Sequence, residues 1–136
     1  MPKGYPFKPE FEVSPRRLAE RMESDTPVLL VDVRAPYEHE FCSLAPSILI
    51  PMHEIEDRLD ELRDELDDAG EHAELVLYCH TGVRSLKIAL ALRAHGFEGA
   101  VSLAGGVELW SHAIDPTLPR YQKDGVRCYP APPPGV

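Results

Sequence analysis

Long apolar runs are missing from this chain of 136 residues. No stretch approaches the roughly 20 apolar residues that a membrane helix needs, so no membrane partner is expected. The opening residues, MPKGYPFKPEFEV, hold no apolar h-region, which argues against a secretory signal. A basic surplus is also missing: 23 acidic side chains face 14 Lys and Arg, a net charge of −9. Phosphate binding needs excess cations, so no nucleic-acid partner is expected. Cysteine is scarce. The three present, Cys42, Cys79 and Cys128, are odd in number and widely spaced, a poor disulfide framework. There is no CxxC pair, and the six histidines show neither HxxxH nor HExxH spacing, so no metal site is expected. A reducing, cytoplasmic location follows, where a cysteine is either a small core residue or a reactive thiol. Phosphate-loop and dinucleotide fingerprints and internal repeats are absent as well.

What is present is enough apolar sequence, 43%, for one real core. Ser14-Pro15 reads as a helix start, a hydroxyl N-cap followed by Pro at the first helical position, with a short helix to Glu23. Val28 to Val33 is a continuous apolar run interrupted only by Asp32, the signature of a strand buried on both faces. Pro36 to Phe41 suits one or two helical turns, and Ile48 to Ile50 a short strand stopped by Pro51. Residues 53–68 read as one amphipathic helix, with Ile55, Leu59, Leu62 and Leu66 on a single stripe and Gly70 at its end. Leu75 to Tyr78 and Val101 to Leu103 are further buried strands, separated by an apolar helix from Ser85 to Ala94. Gly105-Gly106 precedes a short helix through Trp110. Six prolines follow Asp115, which predicts an extended or polyproline II tail. The alternation predicts an α/β fold with a small, mostly parallel sheet flanked by helices on both faces. The predicted boundaries are an irregular segment at 1–9, a domain at 10–121 and a Pro-rich tail at 122–136.

The acidity has an address. Residues 54–74 hold eleven acidic residues against Arg58 and Arg63, which accounts for the whole net charge. Solubility is the plainer reading of that face, ahead of docking a basic partner. Between Glu74 and Glu98 there is no acidic residue, yet Arg84, Lys87 and Arg93 lie there.

That cationic stretch carries the chemistry. A buried strand delivers Cys79 to its carboxyl end, where α/β sheets bind ligands. His80-Thr81-Gly82-Val83-Arg84-Ser85 then turns into a helix. Gly82 permits the positive φ that a curled loop needs. Successive backbone N–H groups form an anion-binding nest, the helix N-terminus adds partial positive charge, and Arg84 adds a full one. Such a setting stabilises a thiolate. The competing reading is a cysteine packed at a strand end before an ordinary turn.

Three segments together resemble the rhodanese-like sulfurtransferases. The Cys79-x4-Arg84 loop is similar to their active-site loop, Leu30-Val31-Asp32-Val33-Arg34 with Tyr37-Glu38 to their early strand motif, and Leu103-Ala104-Gly105-Gly106-Val107 with Trp110 to their late Gly-Gly motif. The run from Trp110 to Tyr121 resembles the end of rhodanese domains fused to MoeB/ThiF-like adenylyltransferases. In place of the family's His-Ile-Pro-Gly-Ala, this chain has Ser43-Leu44-Ala45-Pro46-Ser47.

The resemblance implies a sulfurtransferase that moves a sulfane sulfur from a small anionic donor such as thiosulfate to a thiophilic acceptor through a Cys79 persulfide. It implies that His80, Thr81, Gly82, Val83, Arg84 and Ser85 cradle the persulfide, that Arg84 attracts the donor, and that no cofactor is needed. Asp32 and Arg34 are supporting residues, with Asp32 read as a partner of loop amides ahead of a catalytic acid. His80 is read as loop lining ahead of a general base, and Cys42 and Cys128 as inert, with a resolving role for Cys128 as the alternative. A sulfur-carrier protein or a MoeB/ThiF-like partner acting in trans is implied. Two rivals stand beside this reading. A Cdc25-like phosphatase or arsenate reductase needs five residues between Cys and Arg, and a non-catalytic rhodanese-like binding module usually lacks the cysteine.

Overall fold

Two largely apolar stretches build the middle of the sheet. In the computed structural model, which describes residues 1–131, Val28–Asp32 forms β2 and Glu74–Tyr78 forms β4, paired in parallel from Val28↔Glu74 to Asp32↔Tyr78. Because successive strand residues point to opposite faces, each stretch serves two cores at once. Leu29, Val31, Leu75, Leu77 and Cys79 join one apolar cluster, while Leu30, Val76 and Tyr78 join the other.

The remaining strands flank this pair. Glu12–Val13 is β1, Ile48–Leu49 is β3 and Val101–Leu103 is β5, and the five-stranded sheet runs β1-β5-β4-β2-β3 with every pairing parallel. Helices α3 (Leu59–Ala69) and α4 (Val83–Ala94) cover the first cluster through Leu62, Ala89 and Leu92. Helices α1 (Pro15–Glu23), α2 (Pro36–Phe41) and α5 (Gly106–Ala113) serve the second through Leu18, Phe41, Val107 and Trp110. Ser14 caps α1 as its sequence position predicts, accepting from the Arg17 N–H at 3.2 Å. No helix among the described residues is long and apolar enough to cross a membrane.

Two elements differ from the sequence reading. The single helix expected over 53–68 is a 3-10 segment, Met52–Arg58, followed by α3. The backbone N–H groups of Ile50 and Met52 are committed to the carbonyls of Asp32 and Val33, so the chain is still tied to the sheet edge as it starts to turn. The apolar stripe survives the change: Ile55 and Leu62 are buried, and Leu59 and Leu66 pack beside them.

The second difference is the tail. Of the extended and polyproline II alternatives the chain takes the extended one, but paired: Tyr121–Asp124 (β6) and Arg127–Pro130 (β7) form an antiparallel hairpin. Gly125, at φ +63°, supplies the left-handed turn between them. Tyr121 is 2% exposed and pins the hairpin into the second cluster. The boundary drawn after residue 121 therefore falls inside β6, and residues 132–136 of the expected tail lie outside the described residues.

Candidate active site

The carboxyl end of β4 sets Cys79 at the floor of a loop, 1% exposed. Helix α4 begins at Val83 with no side-chain cap. Unpaired N–H groups at a helix start need acceptors, and here a sulfur serves. The Gly82 N–H reaches Cys79 Sγ at 3.1 Å and the Ser85 N–H at 3.4 Å. The Ser85 hydroxyl lies 3.3 Å from the same sulfur and 2.7 Å from the Ser102 hydroxyl on β5. Gly82 takes φ +99°, which lets the loop fold back. Thr81 and Val83 face solvent, Val83 being 61% exposed.

Helix α5 locks the loop from behind. Its first N–H groups, from Val107 and Glu108, donate to the carbonyls of Cys79 and His80, both at 3.0 Å. A Cβ at Gly106 would stand 2.4 Å from the Cys79 carbonyl oxygen and 2.5 Å from that of His80, so only glycine admits this approach. At the neighbouring Gly105, the N–H donates to the Tyr5 hydroxyl at 2.9 Å, and Tyr5 donates in turn to Glu12 at 2.8 Å. Burial, reinforced by Glu12, pushes the Tyr5 phenol up to about 12, so it stays protonated and keeps both bonds.

A chain of buried charge runs along the other side of the loop. Asp32 holds the backbone N–H, Nε and Nη2 of Arg34 and contacts His39 Nδ1 at 2.8 Å. Arg34 also donates to the Tyr121 hydroxyl at 3.0 Å, and Tyr121 donates to Glu38 at 2.7 Å. Glu38, fully buried, takes both terminal nitrogens of Arg84 at 2.8 and 2.9 Å. Burial alone would raise the Glu38 carboxyl, but the bonds from Arg84 and Tyr121 override it and bring it down to about 2. The His80 ring stacks on Tyr121 with centroids 4.0 Å apart. Burial lowers its proton affinity below the ordinary histidine value.

Of the loop residues singled out in the sequence, Gly82 and Ser85 bond Cys79 Sγ, His80 stacks on Tyr121, Arg84 pairs with Glu38, and Thr81 and Val83 face solvent, whereas Asp32 and Arg34 sit one link away, joined to the loop through Tyr121 and Glu38. One expectation is corrected. The stretch from Glu74 to Glu98 lacks an acid of its own, but Glu38 from α2 brings one directly onto Arg84. Glu38 and Tyr121 stand within sequence motifs that assign them no role, and Tyr5 carries no sequence signal. Nothing in the local pattern around Tyr5 marks it, since the contact that ties it to the site is with a residue a hundred positions away.

The other thiols face different surroundings. Burial pushes both Cys42 and Cys128 up, which keeps them protonated and poorly nucleophilic at neutral pH. Cys128 is fixed in β7 opposite Lys123 and does not lie in a free tail. Among the described residues, no group of three His, Cys, Asp or Glu side chains could hold a metal ion. The arrangement fits a nucleophile: one sulfur, three donors aimed at it, and an adjacent guanidinium.

A family model described as Rhodanese-like domain matches residues 14–113. An adenylyltransferase and sulfurtransferase of Zea mays, MOCS3-1, is 37% identical over 95 residues, covering 70% of this chain and 20% of its own. A sulfurtransferase of Allochromatium vinosum is 30% identical over 100 residues, covering 74% of this chain and 87% of that protein. Among solved structures, a human single-domain sulfurtransferase, TSTD1, superposes with a TM-score of 0.63 at 26% identity, covering 75% of this chain and 96% of that one. The chain spans 20% to 26% of the length of the adenylyltransferase–sulfurtransferases it matches.

Proposed function

The chain belongs to the rhodanese-like domain family, and on that premise we propose that it is a sulfurtransferase working through a persulfide on Cys79. The carrying observation is the convergence of the Gly82 N–H, the Ser85 N–H and the Ser85 hydroxyl on one sulfur. Those donors surround the sulfur, and they remain in place to hold a second sulfur bonded to it.

With thiosulfate as donor, the Cys79 thiolate attacks the outer sulfur. The bond between that sulfur and the sulfonate sulfur breaks, and its electron pair leaves with sulfite. A thiolate acceptor, or cyanide in an assay, then attacks the outer sulfur of the persulfide, and the pair returns to Cys79 as thiolate. No net oxidant is needed. His80, Thr81, Gly82, Val83, Arg84 and Ser85 line this site. His80 serves as a wall, since its ring is stacked on Tyr121 and burial disfavours its protonated form. Asp32 and Arg34 brace the wall. The relatives named as joint adenylyltransferases and sulfurtransferases support a sulfur-carrier protein as acceptor.

Incubation with thiosulfate followed by intact-mass and peptide spectrometry tests this reading. The expected result is a gain of one sulfur on Cys79 that cyanide removes, and none in Cys79→Ser. No sulfur gained from thiosulfate or from a thiol persulfide would overturn it. Hydrolysis of a chromogenic phosphate ester would favour the phosphatase reading, which the four-residue spacing between Cys79 and Arg84 disfavours.

A further inference from the structure

Arg84 is the full positive charge beside the Cys79 loop, but the guanidinium does not face the loop alone. Its two terminal nitrogens meet the two oxygens of Glu38 at 2.8 and 2.9 Å, a fork-to-fork pair. Glu38 is completely buried and held from every side. The Tyr121 hydroxyl donates to it at 2.7 Å, the Ala35 N–H at 3.3 Å, and the Lys123 ammonium stands 3.5 Å away. The charged groups on this side are Asp32 paired with Arg34, Glu108 paired with Arg120 and beside His112, and Glu38 between Arg84 and Lys123. His39 adds a ring on Asp32. Glu38 is the carboxylate that faces Arg84.

We propose that Glu38 is a specificity-determining residue: it offsets the Arg84 charge and so weakens the preference of Cys79 for small anionic reactants over neutral ones of the same size. The effect is electrostatic and acts through Arg84, in a partly desolvated site where a single charge weighs more than in water. It deepens the reading of Cys79 as the reactive group and rests on it.

The test uses two alkylating agents that differ in charge. Iodoacetate and iodoacetamide each form a C–S bond to Cys79 and release iodide, and one carries a negative charge. The ratio of their rate constants, read from the Cys79 peptide by mass spectrometry, cancels any change in thiolate fraction or access common to both. Glu38→Gln is expected to raise the iodoacetate-to-iodoacetamide ratio about threefold or more, and Glu38→Asp, which keeps the charge, to hold it within about twofold. A smaller rise in Glu38→Gln, or an equal rise in Glu38→Asp, overturns the proposal. A measurement on the unaltered protein covers the case in which a variant fails to fold. Between about 20 and about 200 mM salt its ratio is expected to fall less than about threefold, and a larger fall, the mark of an uncompensated cation, overturns the proposal. A moved ratio with no sulfur gained on Cys79 would sink the sulfurtransferase reading alone. Sulfur gained with the ratio unmoved would sink the role of Glu38 alone.

Discussion

Single atoms decide whether the Cys79 loop can exist. Gly106 shows this most sharply. It sits at φ +58°, and the positions nearest to its missing Cβ are two backbone carbonyl oxygens, those of Cys79 and His80. A flexible side chain could move aside, but these carbonyls already accept from Val107 and Glu108. Gly106→Ala is therefore expected to displace the floor of the loop and to destabilise the fold by roughly 2–4 kcal/mol, combining left-handed strain with the lost approach. Thermal unfolding and the rate of sulfur uptake by Cys79 would both register it. A variant with unchanged melting and full uptake would mean that the Gly106 contact is not needed. The sequence made the glycine pair visible, because two adjacent glycines before a helix are a local signal. It could not show that the closest neighbours are the carbonyls of Cys79 and His80, which lie more than 25 residues upstream in the chain.

At the scale of elements, what was legible followed sequence separation. Strands β2 and β4 were readable because a largely apolar run needs no partner to be recognised. The thiol nest was readable because its contacts span only three to six residues, from Cys79 to Gly82 and Ser85. The hairpin was not: the prolines after Asp115 pointed to an extended or polyproline II tail, and Tyr121 gained its meaning only by reaching Glu38, 83 residues away. The segment before β1 is a similar case. It has no regular structure over residues 1–9, yet Tyr5 latches it to the turn between β5 and α5. Replacing Tyr5 with Phe keeps the ring but leaves the Gly105 N–H without its acceptor. An unpaired buried donor costs about 1–3 kcal/mol. Amide hydrogen exchange at Gly105 is accordingly expected to speed about tenfold or more in Tyr5→Phe. Exchange at the unaltered rate would show that the latch does not restrain this turn.

Over the whole molecule, the net charge of −9 and the buried charge obey different rules. The acids of residues 54–74 lie largely on the solvated side of the 3-10 segment and α3, where an exposed ion pair such as Arg63 with Asp60 contributes little. Glu38 is the opposite case, one buried carboxylate joining α2, the start of α4 and the C-terminal hairpin through Arg84, Tyr121 and Lys123. Its carboxyl is held at about 2 in the fold against an ordinary value of 4.5. The native state therefore binds fewer protons than the unfolded chain between those values, so stability rises with pH across that window. The contribution is complete above about pH 4.5 and is lost as the pH falls towards 2. A shift of this size corresponds to something on the order of 3 kcal/mol. Urea unfolding of the protein and of Glu38→Gln, compared across pH, isolates this carboxylate from the others, which both proteins share. The stability difference is expected to be largest and flat from pH 7 to about 5, and to shrink steadily below about pH 4. A difference that stayed constant down to pH 3 would mean that the fold does not lower the Glu38 carboxyl below its unfolded value, and that Arg84 is held at the loop by something other than this pair.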